Sequence, residues 1–71
     1  MLDRIAQRLR QERQARGFSQ AALAERSGVS LRMLALIEKA ETNPSIATLA
    51  EIATGLGISL GALVGSGEEA A

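Results

Sequence analysis

The chain contains no cysteine, no histidine, no tryptophan and no tyrosine, and it has one phenylalanine, Phe18, and one proline, Pro44. Without cysteine there is neither a disulfide framework nor a thiolate metal site to staple so short a domain. Without histidine the commonest general base and the commonest metal ligand are missing. The scarcity of aromatic residues argues against an all-β domain, whose strands favour them. No apolar run approaches the ~18–20 residues of a membrane span, and no signal-peptide core follows Met1. What remains is rich in Ala, Leu, Arg, Glu and Gln, residues that suit helices. At 71 residues the chain has room for one thin-cored domain. A cytoplasmic, all-α protein is therefore expected.

Net charge is zero, but the two signs are segregated. All eight basic residues lie at or before Lys39: Arg4, Arg8, Arg10, Arg13, Arg16, Arg26, Arg32 and Lys39 itself. Four acids share that stretch, leaving a surplus of four positive charges. From Ala40 onward there are four acids and no cation. Such asymmetry suits a phosphate-attracting half backed by a negative one, and it equally suits a solvated helix face.

Five short helices are legible. Leu2, Ile5, Ala6 and Leu9 recur at helical spacing and predict a first helix from about Asp3 to Ala15, stopped by Gly17. Ser19 reads as the N-cap of a second helix, about Gln20 to Arg26 or Ser27, with Phe18 and Leu23 as a hydrophobic staple. Gly28 ends it. Ser30 caps a third helix, about Leu31 to Lys39, with Val29 and Leu34 as its staple. Thr42, Asn43 and Pro44 form a turn, and Ser45 caps a fourth helix over Ile46 to Leu56. Its buried stripe is predicted as Ile46, Leu49, Ile52, Ala53 and Leu56. Ser59 caps a short fifth helix carrying Leu60, Leu63 and Val64. The division is a domain over 1–64 and a flexible tail or linker over 65–71.

The second and third helices are joined only by Gly28, Val29 and Ser30, the form of a helix-turn-helix. Ala24 is small where the two helices meet, Gly28 tolerates a positive φ, and Leu34 and Ile37 anchor the third helix. These fall four, eight, fourteen and seventeen residues after Gln20. The segment SQAALAERSGVSLRMLALIE, from Ser19 to Glu38, resembles the Cro/repressor-type helix-turn-helix family, also called lambda-repressor-like or XRE-like. The likeness continues through NPSIATLAEIATGLGISLGALV, from Asn43 to Val64, and back to Arg13 and Gly17.

The resemblance implies a five-helix lambda-repressor-like domain that acts as a homodimer on double-stranded DNA and regulates transcription, as a repressor of bacterial type. It further implies kinship with regulators whose helix-turn-helix precedes a C-terminal sensor, commonly a cupin barrel. The third helix would enter the major groove with Ser30, Leu31, Arg32, Ala35 and Leu36 toward the bases. Arg32 is suited to a guanine, whereas Leu31, Ala35 and Leu36 reach only thymine methyls or sugars. Met33 is expected half buried against the second helix. Ser19, Gln20, Lys39, Thr42 and Asn43 are the candidate phosphate contacts, and Gln20 sits where free amides and the helix dipole favour an anion. Arg13 and Glu38 match a family ion pair that would orient the third helix. Arg10, Arg16 and Arg26 read as solvated charges, with reach of the DNA backbone as the alternative for one of them.

Two positions depart from the family pattern. The third helix is unusually apolar, so either it reads few bases directly and relies on shape and phosphate contacts, or its face binds protein, which leaves open a protein-interaction module of the same fold as the alternative function. Ala40 stands where glycine is common and predicts a negative φ. Leu60, Leu63 and Val64 are candidates for the two-fold contact, or else pack against the fourth helix. No nucleophile–base pair, metal cluster or glycine-rich phosphate loop is present, so neither enzyme activity nor a cofactor is expected.

Overall fold

The computed structural model describes residues 2–65. Met1 and most of the expected tail, residues 66–71, lie outside the described residues. Among those described there are five helices and no strand: α1 (Leu2–Ala15), α2 (Gln20–Ser27), α3 (Leu31–Glu38), α4 (Ile46–Leu56) and α5 (Leu60–Val64). None is long and apolar enough to cross a membrane.

The starts of α2 to α5 are set by one device. The hydroxyls of Ser19, Ser30, Ser45 and Ser59 accept hydrogen bonds from the amides of Ala22, Met33, Thr48 and Ala62, at 3.0, 3.0, 3.0 and 3.1 Å. Each satisfies one of the amides that a helix start leaves unpaired, and each is worth about 1 kcal/mol.

The helix ends differ more. Gly28 takes φ +78 and returns its amide to the carbonyl of Ala24 at 2.9 Å, which turns the chain directly from α2 into the segment leading to α3. After α3 the expected negative φ at Ala40 is corrected: this residue is left-handed, at φ +58. The cause is a Schellman motif. The Ala40 amide donates to the Ile37 carbonyl at 3.0 Å and the Glu41 amide to the Leu36 carbonyl at 2.9 Å. Two hydrogen bonds hold a β-carbon where glycine would sit without strain. Ala40→Gly should therefore stabilise the domain by about 1 kcal/mol, raising the melting temperature by about 4–8 °C. A thermal melt that leaves the midpoint unmoved would show that Ala40 carries no strain.

The core draws on every helix. Leu9 of α1, Leu23 of α2, Leu34 and Ile37 of α3, Ile52 of α4 and Leu63 of α5 are fully buried. Around them α1 packs on α3 and α5, α2 on α3 and α4, and α4 on α5. One placement differs from the sequence expectation. Ile46 does not belong to the α4 stripe; it is 66% exposed, because Ser45, Ile46 and Ala47 are all exposed at the helix start and burial begins at Leu49. Ala24 is half-buried against the core as expected, but a tighter approach of α2 is made elsewhere, at Ser27 against Gly55 of α4. A β-carbon on Gly55 would lie 2.8 Å from the Ser27 β-carbon.

Candidate nucleic-acid interface

The organising residue is Glu38, the last residue of α3 and only 4% exposed. A buried carboxylate is costly unless it is paired and hydrogen-bonded. Here Arg13 of α1 donates from Nε to Oε2 at 2.6 Å and from Nη2 to Oε1 at 3.0 Å, a two-pronged pairing. Gln20, the first residue of α2, donates from Nε2 to Oε1 at 3.1 Å. One carboxylate thus ties α3 to both α1 and the start of α2. Two more bonds extend the knot: Arg13 Nη1 donates to the Phe18 carbonyl at 2.8 Å, and Arg10 Nη1 donates to the Glu38 carbonyl at 3.0 Å. Among the described residues no buried side-chain polar atom is left without a partner. The hydrogen bond to Glu38 raises the Arg13 pKa, outweighing the lowering by burial, and the nearby carboxylate charge raises it further. Arg13 therefore stays cationic throughout any working pH range.

This network is richer than the sequence expectation. The Arg13–Glu38 pair is present. Gln20 spends one amide hydrogen on Glu38, and its Oε1 and second hydrogen have no partner among the described residues. The expectation of solvated charges fails for Arg10, which caps the end of α3. Arg26 is exposed, as expected, but it also has partners: its Nε donates to the Gly55 carbonyl at 3.0 Å while its guanidinium lies 4.6 Å above the Phe18 ring. Arg16 is paired with Glu12 one turn back on exposed α1. The acceptors of Arg10 and Arg26 lie 28 and 29 residues away in sequence and leave no local signature.

The opposite side of α3 is uncovered. Leu34, Ile37 and Glu38 are buried and Met33 is half-buried, so at 100° per residue the outward arc is centred near Arg32. Ser30, Leu31 and Arg32 are exposed, and Ala35 and Leu36 flank the arc, half-buried. Leu31 is 47% exposed. The Ser30 hydroxyl oxygen accepts its one cap bond, leaving its hydrogen to donate and a second lone pair to accept. The side chains of Arg32 and Lys39 make no hydrogen bond or ion pair among the described residues. At the start of α2 the amides of Gln20 and Ala21 have no intrahelical partner, and Ser19 is exposed beside them. Asn43 is exposed and Thr42 half-buried in the segment after Lys39.

At α5, Leu63 is fully enclosed in the chain's own core and has no surface to offer a second copy. Leu60 and Val64 are half-buried and pack on that core. No group of acidic, histidine or cysteine side chains able to hold a metal ion occurs among the described residues.

Comparison with known proteins agrees with this architecture. Residues 9–63 match a family model described as helix-turn-helix. The chain is 54% identical over 50 residues to the HTH-type transcriptional regulator SutR of Escherichia coli K12, covering 70% of this chain and 28% of that protein. It is 41% identical over 61 residues to the immunity repressor protein of Bacillus phage phi105, covering 86% of this chain and 42% of that one. An HTH_3-family transcriptional regulator from Vibrio cholerae superposes with a TM-score of 0.90 at 40% identity, over 97% of this chain and 39% of that one. The chain thus spans well under half the length of these relatives.

Proposed function

The chain belongs to the helix-turn-helix family, and on that premise we propose that it is the DNA-binding domain of a transcriptional repressor acting in the cytoplasm. One observation carries the reading: the outward face of α3 is uncovered, with Arg32 on it and Lys39 directly after it, two cationic side chains with no partner among the described residues. In this reading α3 lies in the major groove. Arg32 faces the bases, with Ser30, Leu31, Ala35 and Leu36 around it. Lys39, Thr42, Asn43, Ser19 and Gln20 hold the phosphates on either side, the last two beside the free amides at the start of α2. The Arg13–Glu38–Gln20 network fixes α3 against the phosphate-binding start of α2, so base and backbone contacts keep a common register.

The domain acts as two copies related by a two-fold axis, in contact through the exposed parts of Leu60 and Val64, and an axis that sets their α3 helices about 34–36 Å apart would suit successive turns of a duplex. The activity is reversible binding, with no chemical step and no cofactor. Any response to an effector is assigned to a C-terminal sensor domain beyond this chain.

Titrating a random-sequence duplex at two salt concentrations tests the reading. Each neutralised phosphate contributes about −0.9 to the slope of log affinity against log salt. Binding should weaken steeply with salt, and Lys39→Ala should make the slope shallower by about 1. Absence of binding at low salt would eliminate the reading and favour a protein-interaction module, for which the apolar part of α3 is the motivating feature.

A further inference from the structure

We infer that α3 selects duplex sequence chiefly through the C5-methyl groups of thymines clustered about a guanine, an inference that rests on the DNA-binding reading above. The outward arc holds Leu31, Arg32, Ala35 and Leu36, and only Arg32 among them has a hydrogen-bonding side chain. Ser30, at the edge of the arc, adds one hydroxyl, whose oxygen already accepts from the Met33 amide. Hydrogen-bond readout is thus nearly confined to a single guanidinium, whose forked donors match the O6 and N7 acceptors of guanine.

The remaining contacts discriminate by what they cannot satisfy. Thymine alone presents an apolar group in the major groove. An adenine, guanine or cytosine edge pressed against Leu31 would lose water without gaining a partner. Leu31 is one of two large hydrophobic residues among those described that are strongly exposed, the other being Ile46 at the start of α4. The occupant of this face is taken to be DNA because the apolar surface is bracketed by cations. Arg32 adjoins Leu31, and Lys39 follows α3 at its other end, neither with a counter-charge among the described residues. A duplex supplies anions on both sides of a groove whose floor carries methyl groups.

The experiment uses the 71-residue chain and a pool of random duplexes. Bound duplexes are sequenced, and each thymine of the selected site is then replaced by deoxyuracil, which keeps every hydrogen-bonding group and removes the methyl alone. Each thymine in contact should cost about fourfold in affinity on replacement. Leu31→Ala, at an exposed position that leaves the helical circular dichroism unchanged, should weaken the thymine site while erasing part of the difference between the thymine and deoxyuracil duplexes. Arg32→Ala should relax the preference at the guanine. Equal affinity for thymine and deoxyuracil duplexes, with salt-dependent binding intact, overturns this inference and leaves the DNA-binding reading standing. Failure to bind any duplex overturns both.

Discussion

Glu38→Ala should lower the melting temperature by about 12–24 °C, from a loss of about 3 kcal/mol. The substitution strands the Arg13 guanidinium, whose side chain is only 12% exposed, with the Phe18 carbonyl as its one remaining partner in the network. Gln20 loses its acceptor at the same time. A domain of this size has a total stability of about 4–10 kcal/mol, so the variant approaches the limit of folding near body temperature. The cost comes from leaving one charge unmatched rather than from the strength of the pair. The double variant Arg13→Met, Glu38→Met removes both charges and should regain most of the lost stability while losing the fixed placement of α3. Thermal melts of the two variants check this. A single variant that melts within a few degrees of the parent would show the network to be ornamental.

Gly55→Val should cost about 3 kcal/mol and Gly55→Ala about 1–2 kcal/mol, the latter against an intrinsic helix preference for alanine of about 1 kcal/mol. An added β-carbon would meet the Ser27 β-carbon at 2.8 Å, its α-carbon at 3.0 Å and its backbone nitrogen at 3.1 Å. Two of those atoms are backbone, so no rotamer change relieves the contact and α2 must move off α4. That motion also pulls at Arg26, whose Nε donates to the Gly55 carbonyl. Ser27→Gly in the Gly55→Ala background should restore part of the loss. Denaturant midpoints measure the series, and an alanine variant more stable than the parent would refute the close packing.

The pattern of success in the sequence reading follows the range of the interactions involved. The four serine caps were legible because cap and capped amide lie three residues apart, and with them the starts of α2 to α5. Leu34 and Ile37 were legible because periodicity reports a buried face. Gly55 gave no such signal: its reason lies 28 residues earlier in Ser27, and a glycine inside an otherwise apolar helical pattern looks like a simple weakness. Ile46 fits the α4 period yet overhangs the core at the helix start, since periodicity fixes an angle and not a depth. Ala40 was misjudged because residue identity was weighed without the two hydrogen bonds that close α3. At the interface, the Arg13–Glu38 pair was legible through family likeness, while the bonds from Arg10 and Gln20 to Glu38 join separate helices and became visible only in three dimensions.

The brevity of α3 sets a ceiling on how much address one chain can read. Eight residues make a rod about 12 Å long, which in the proposed docking would run alongside roughly four base pairs at about 3.4 Å each. Four letters recur by chance about once in every 256 positions of random sequence at the four-letter alphabet of the major groove. A single chain would therefore dwell at a multitude of genomic decoys. Reading twice, with a fixed gap between readings, squares that rarity, so discrimination among promoters would be a property of pairs of chains and of their spacing.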